Sequence, residues 1–397
     1  VKRPINSLLF GCILVIAVGC TSVPERNPLP ERLGDEAAIP GIDKARHWAD
    51  EPPPWMADLA ELTQEEIKER FSGIVECHHN YLAISGGGPR GAFGAGLLCG
   101  WTEAGTRPEF SMVTGVSTGA LIAPFAFLGP KYDHVLRRFY TEFSTDDILE
   151  QRSALDILLS DAAADSTPLQ RNIANFVDEE VVADLATEHA KGRALVIVTT
   201  NLDAGRPVAW DIDRIAASGD PNAVQLIRDI MLASASIPGA FPPVMFTVEA
   251  EGMLYDEMHV DGGATTVVYL YPIGLDWEDL VSRLDIEGRP DVYMIRNGYL
   301  KERWVNVERS TISIAVRTVD ILMGSAAYGD MYRIFLATQR DGLDYHLAYI
   351  PEYFDMEPTE AFDPKYMTAL FDLAYEMGKN GYEWKNAPPG YDFEKVK

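Results

Sequence analysis

The sequence predicts an α/β fold built on a mainly parallel sheet. Three observations carry that prediction. Ala194 to Thr200 is a continuous apolar run suited to a strand buried on both faces of a sheet. Asn80 to Ser85 and Phe110 to Thr114 are shorter strand-like runs, and each feeds a glycine-rich turn and then a helix, Gly91 to Ala104 and Ser117 to Leu128. The resulting β-α-β-α order implies neighbouring parallel strands joined by a right-handed crossover.

The other elements follow along the chain. Thr63-Gln64-Glu65-Glu66 fits a capping box and starts a short helix. Leu136, Phe139, Tyr140 and Phe143 keep helical spacing, and Asn222 to Ala235 is a helix stopped by Pro238. Val244 to Val248, Met258 to Val260 and Val292 to Ile295 read as strands. Ile312 to Thr338 is mostly helical, Tyr345 to Ile350 is a strand, and Pro364 to Met377 is a helix. No charge run or proline-rich break divides this stretch, which predicts one domain over residues 61–397 with a helical C-terminal part over 308–397. The 397-residue chain is 47% hydrophobic and 24% charged, a composition that excludes a disordered or collagen-like chain and supplies a sizeable core.

The charge is unusual. With 34 Lys and Arg against 60 Asp and Glu, the formal net charge is -26. Such a surface repels phosphate backbones and anionic bilayers, so nucleic acid is excluded as a partner and a polybasic membrane contact with it. The N-terminus offers another route to a membrane. Lys2 and Arg3 precede an apolar run from Leu8 to Val18, and Ala17-Val18-Gly19 precedes Cys20, the pattern of a cleavable secretory signal. Its end resembles the bacterial lipobox, in which the cysteine is acylated and becomes the new N-terminus. The expectation is a signal peptide over 1–19, with Cys20 as the lipidation site holding the protein at the cell envelope. An uncleaved anchor is the alternative, although the apolar run is short for a span. Removal of residues 1–19 takes away Lys2 and Arg3 and no acid, so the net charge becomes -28. Residues 20–60 contain seven prolines between Thr21 and Trp55 and little apolar periodicity, which reads as an extended tether. Cys77 and Cys99 then remain, too few for a disulfide scaffold and free either to pair or to pack as small side chains.

Two loops carry chemistry. Gly115-Val116-Ser117-Thr118-Gly119 is a G-x-S-x-G between a strand and a helix, where the glycines let neighbouring backbone approach a nucleophilic Ser117 at a helix N-terminus. Ser85-Gly86-Gly87-Gly88-Pro89-Arg90-Gly91 lies between the preceding strand and its helix, and consecutive glycines there present N–H groups suited to an oxyanion hole or a phosphate cradle. A dinucleotide fingerprint is the weaker reading, because no acid follows at the end of the next strand. Both loops open at the carboxyl edge of neighbouring parallel strands, where α/β sheets bind ligands, and together they make an acyl-transfer arrangement. None of the seven histidines sits in a glycine-punctuated loop. Asp261-Gly262-Gly263 does, after a short strand, and a partly buried carboxylate can act as general base; a plain turn is the alternative. His259, two residues away, shares its strand face. Neither H-E-x-x-H nor a calcium-loop pattern occurs, and no metal or other cofactor is implied.

GGGPRGAFGAG, GVSTGA and DGG, in this order, resemble the patatin-like phospholipase family, whose bacterial members include lipoproteins. Ala233 to Pro243 (ASASIPGAFPP) is similar to that family's serine-alanine-proline stretch. The resemblance covers residues 78–275. It implies a three-layer α/β fold with helices on both faces of the sheet, and a lipid acyl hydrolase working through an acyl-serine intermediate. Ser117 is then the nucleophile, Asp261 its dyad partner, Gly86 to Gly91 the oxyanion loop, and Arg90 a basic position that steers a phosphate or head group. Many plant members carry Asp where this chain has Ser85. The substrate implied is a phospholipid or another fatty-acyl ester, and nothing in the sequence states the oligomeric state. Two alternatives are a Ser-His-Asp hydrolase with His346 as base and a non-enzymatic lipid-binding lipoprotein. Trp101, Phe125, Phe127 and Phe139 are candidates to line an acyl pocket, with core packing as their other role.

Overall fold

A computed structural model describes residues 26–151, 162–301 and 303–391. The signal segment and Cys20 lie outside the described residues. In chain order the strands are β1 (Arg46–Trp48), β2 (Asn80–Ile84), β3 (Met112–Val116), β4 (Glu150–Gln151), β5 (Ala164–Asp165), β6 (Ala194–Asn201), β7 (Arg206–Asp211), β8 (Val244–Ala250), β9 (Met253–Asp261), β10 (Asp291–Arg296) and β11 (Asp344–Tyr349). β4 and β5 form a small separate ladder. The rest make one sheet in the order β1-β7-β6-β3-β2-β10-β11, with β9 pairing β6 and β8 pairing β9. From β6 to β11 every pairing is parallel, whereas β1, β7, β8 and β9 add antiparallel ladders.

Alternation along the central strands builds two cores. Leu82 and Ile84 of β2 face a core shared with α3 (Gly91–Glu103) and α4 (Thr118–Leu128), while Tyr81 and Ala83 face the other core. That second core is closed by α1 (Trp55–Glu61), α2 (Gln64–Arg70) and Phe335 of the long helix Thr311–Asp341. The result is the predicted layered α/β architecture, a mainly parallel mixed sheet with helices on both faces. α3 carries Gly96 and Gly100 where another helix lies on it. A Cβ on Gly96 would sit 2.2 Å from the Phe371 carbonyl oxygen of the helix Pro364–Lys379.

The tether expected over residues 20–60 is corrected from residue 26 onward. Leu33, Ile39 and Ile42 are buried in the main core, β1 adds an edge strand antiparallel to β7, and the Arg46 guanidinium meets Glu257 in a buried ion pair. Proline density fits this folded segment because its apolar contacts are with residues far along the chain rather than within a periodic element. β7 went unforeseen and β9 is longer than Met258 to Val260, since Pro207 and the charges of Asp256 and Glu257 mask their patterns. β3 begins at Met112 rather than Phe110. Thr63 and Glu66 form the expected capping box at α2. Cys77 and Cys99 are free thiols.

Candidate active site

Ser117 occupies the turn between β3 and α4. Its backbone, at φ 57° and ψ -126°, lies in a region that L-residues rarely adopt. The two glycines of the motif make that turn possible: a Cβ on Gly115 would lie 2.4 Å from the Gly119 carbonyl oxygen, and one on Gly119 would lie 2.2 Å from that of Ile84. The Ser117 N–H donates to Ser234 Oγ at 2.9 Å, and Ser234 Oγ donates onward to the Val198 carbonyl at 2.7 Å. The elbow is thus tied to β6 through a residue of the ASASIPGAFPP segment.

Asp261 ends β9, next to β6, and its Oδ2 accepts a hydrogen bond from Ser117 Oγ at 2.6 Å. Its other oxygen accepts from the Gly263 N–H at 2.7 Å, which fixes the carboxylate plane. Gly262 is required there because a Cβ would lie 2.4 Å from the Val198 carbonyl oxygen. The side chain is fully buried, and that desolvation raises its pKa from 3.8 to about 7, with the hydrogen bonds from Ser117 and Gly263 opposing the rise. A carboxylate so poised takes up and releases a proton near neutral pH.

The glycine loop divides by role. The Gly86 N–H donates to the Val267 carbonyl at 2.9 Å, and the Gly91 N–H turns back to Gly88 and Pro89. Neither is available to an oxyanion, which corrects the expectation for those two residues. They are glycines for space: a Cβ on Gly86 would press on Ser117 Cβ at 3.0 Å, and one on Gly91 would strike Thr118 Oγ1 at 2.2 Å. Gly87 and Gly88 differ. Among the described residues neither of their N–H groups has a partner, and Gly88 adopts φ +56° beside the cleft that contains Ser117.

Two residues outside every sequence motif hold this loop. Asn297 donates from its N–H to Ser85 Oγ and from Nδ2 to the Ser85 carbonyl, both at 2.9 Å, and its Oδ1 accepts the Gly94 N–H at 3.0 Å. Asp330, buried in the long helix, accepts the Val267 N–H at 2.7 Å and so fixes the loop segment whose carbonyl receives the Gly86 N–H. Asn297-Gly298 follows β10 at the same sheet edge as the other loops, which is the only signal for it in the sequence. Asp330 has none. Ser85 answers for the missing Asp by donating to the Gly86 carbonyl at 2.8 Å while accepting from Asn297.

A cleft of about 370 Å³ opens over Gly87, Gly88 and Ser117. Among the described residues Arg90, Arg296, Lys301, Arg303 and Arg317 border it, against Asp320 and Glu357, so its described lining is basic in a strongly acidic chain. Glu357 pairs with Arg303 at 2.8 Å. Arg90 has no carboxylate within ion-pair distance among the described residues, and its Nε donates to the Gly87 carbonyl at 3.3 Å. On the other side of Ser117 a narrow apolar cavity of about 30 Å³ is lined by Leu121, Phe139, Tyr140, Ile237 and Phe241. Of the aromatics considered for an acyl pocket, Phe139 lies here, while Trp101, Phe125 and Phe127 are core residues.

The histidine alternatives are not assembled. His346 sits on β11 and pairs with Asp291 at the start of β10, the sheet edge opposite Ser117. His259 is buried between Thr199 Oγ1 at 2.8 Å and Glu257 Oε2 at 3.1 Å, with its pKa lowered by burial. It belongs to the structural network that anchors Arg46.

No curated protein matches the sequence. Among solved structures, the crystal structure of VipD from Legionella pneumophila is similar, with 12% identity over 78% of this chain and 68% of that one and a TM-score of 0.31. Residues 82–273, which carry Gly86 to Gly91, Ser117, Ser234 and Asp261, match the family model described as Patatin-like phospholipase, and that stretch is what the chain shares with the patatin-like phospholipases.

Proposed function

We propose that this protein hydrolyses fatty-acyl esters of membrane lipids through an acyl-serine intermediate, with Ser117 as nucleophile and Asp261 as general base. The family supports a lipid acyl hydrolase in general. The observation that carries the finer reading is the 2.6 Å hydrogen bond from Ser117 Oγ to a fully buried carboxylate whose pKa lies near 7. In the first step Asp261 takes the Ser117 proton as Oγ bonds to the ester carbonyl carbon, and the N–H groups of Gly87 and Gly88 receive the charge that develops on oxygen. Collapse expels the alcohol portion, which takes the proton from Asp261. Water, deprotonated by the same carboxylate, then cleaves the acyl-serine and frees the fatty acid.

The narrow apolar cavity beside Ser117 suits the acyl chain, and the basic cleft suits the phosphate of a phospholipid head. Its small volume requires side chains such as Phe139 to move aside as the chain enters. No described helix is long and apolar enough to cross a membrane. Acylation of Cys20 and the apolar side chains beside the cleft would hold the protein on the lipid surface, at the bacterial envelope. The test is labelling with a fluorophosphonate together with hydrolysis of mixed phospholipids read by mass spectrometry. Wild type is expected to be labelled and to release fatty acid, and Ser117→Ala and Asp261→Asn to do neither. Undiminished hydrolysis by either variant would overturn the reading.

A further inference from the structure

A second cavity, of about 310 Å³, lies at the opposite edge of the sheet, where β2, β3 and β6 begin. Ser111 and Met112 line it at the start of β3, and Ser117 follows the end of that strand, so about 20 Å separates the two sites. Its walls are mostly apolar and include Leu59, Leu275 and Leu280. Trp55 and Leu59 come from the N-terminal segment, outside the stretch that matches the family.

The polar atoms of this cavity set it apart from ordinary core. Among the described residues four buried side-chain atoms that belong to residues lining it, His47 Nδ1, Asp211 Oδ2, Arg214 Nε and Trp277 Nε1, lack a hydrogen-bond partner. Buried polar groups are otherwise nearly always satisfied, so such a concentration marks a place where a ligand supplies the partners. Asp211 Oδ2 stands 3.7 Å from His47 Nδ1 and 4.0 Å from Arg214 Nε, beyond hydrogen-bond range of both. A group seated between them must donate to the carboxylate and accept from the guanidinium. A hydroxyl does both. A fatty-acid carboxylate would face Asp211 as a like charge, and an ammonium would face Arg214.

We propose that this cavity binds a neutral, single-chain amphiphile with a hydroxyl head, of the monoacylglycerol class. The proposal stands apart from the role of Ser117. Its test uses the full chain carrying Ser117→Ala, so that the probe survives, titrated with ω-bromodecanoylglycerol below its aggregation limit. Bromine quenches tryptophan at short range, and Trp55 and Trp277 line the cavity. Saturable quenching is expected, weakened about tenfold by Asp211→Ala through loss of a charge-assisted hydrogen bond. It is expected to vanish in Ser111→Phe, which fills the cavity from the start of β3, at an unchanged melting temperature. Ala194→Leu, filling it from β6, gives the same reading should Ser111→Phe fail to fold. The equally brominated decanoate is expected to bind more weakly than the glycerol ester and to gain affinity in Asp211→Ala. Absence of saturable quenching, as in a cavity that holds water only, would overturn the proposal. So would quenching that persists in the filled variants, or tighter binding of decanoate than of the glycerol ester.

Discussion

The Ser234 hydroxyl accepts the Ser117 N–H at 2.9 Å while donating to the Val198 carbonyl at 2.7 Å. One side chain therefore ties the positive-φ turn of the nucleophile to the central strand β6, and it withdraws the Ser117 N–H from any oxyanion role. Ser234→Ala leaves a buried N–H and a buried carbonyl unsatisfied, at about 1–3 kcal/mol for each group. The strained turn loses its tie and relaxes, which displaces Oγ from Asp261. A lower melting temperature and a kcat reduced by about tenfold to a hundredfold are expected on a soluble ester, with KM little changed. An unchanged kcat in a destabilised variant would mean that the tie serves folding alone.

As the proposed general base, the buried Asp261 carboxyl sets the pH dependence of hydrolysis. It accepts a proton only as the anion, so kcat/KM is expected to fall about tenfold per pH unit below a limb near pH 7, the pKa to which burial raises it. Stability runs the other way. Between about pH 4 and 7 the folded carboxyl keeps a proton that the unfolded chain has lost, so stability falls as pH rises through that window, and the penalty is complete above it. Its size is about 4 kcal/mol, from a rise of roughly three pKa units. Asp261→Asn keeps the shape and never ionises. It is expected to melt several degrees above wild type at pH 8 and close to it at pH 4, with activity lost at both.

Local signals made the nucleophile turn, the glycine loop and the Asp-Gly-Gly turn legible, because each needs glycine where backbone crowds a reacting group. Strands β2, β3 and β6 were legible because buried parallel strands are apolar throughout. The parts that stayed hidden depend on partners far along the chain. Arg46 looks like an exposed charge in a proline-rich stretch until Glu257, 211 residues away, closes the buried pair. Asn297 and Asp330 are ordinary polar residues in sequence, and their work shows only in the hydrogen bonds that Asn297 makes to Ser85 and Asp330 accepts from Val267. The division of that loop was equally hidden, since which N–H groups are spent depends on Val267.

Among the described residues Arg90 borders the cleft without a carboxylate partner, and its Nε donates to the Gly87 carbonyl at 3.3 Å. If it receives the phosphate of a lipid head, Arg90→Gln removes a charge-assisted hydrogen bond from substrate binding. KM for an anionic phospholipid is expected to rise about tenfold, while hydrolysis of an uncharged short-chain ester stays within about twofold of wild type. An equal loss on both substrates would place Arg90 in support of the glycine loop instead.

Trp304 is 93% exposed, and Val305 and Val307 beside it are 51% and 43% exposed. Val305 also lines the catalytic cleft, so this apolar strip stands at its mouth. Ile321 and Leu322 of the long helix expose further apolar surface. Large apolar side chains left in water mark a contact with an apolar partner, and under the proposed function that partner is the lipid surface. The chain's negative charge opposes such contact on anionic bilayers, so the apolar strip has to supply the attraction. Trp304→Ser is expected to lower hydrolysis of phospholipid in vesicles by about tenfold to a hundredfold, in line with loss of an aromatic anchor of roughly 1.5–3 kcal/mol. A soluble ester should be cleaved at the wild-type rate and the melting temperature should not move, because the side chain packs against little in the folded chain. Equal rates on vesicles with and without Trp304→Ser, both measured in a Cys20→Ala background, would show that the strip does not meet the bilayer.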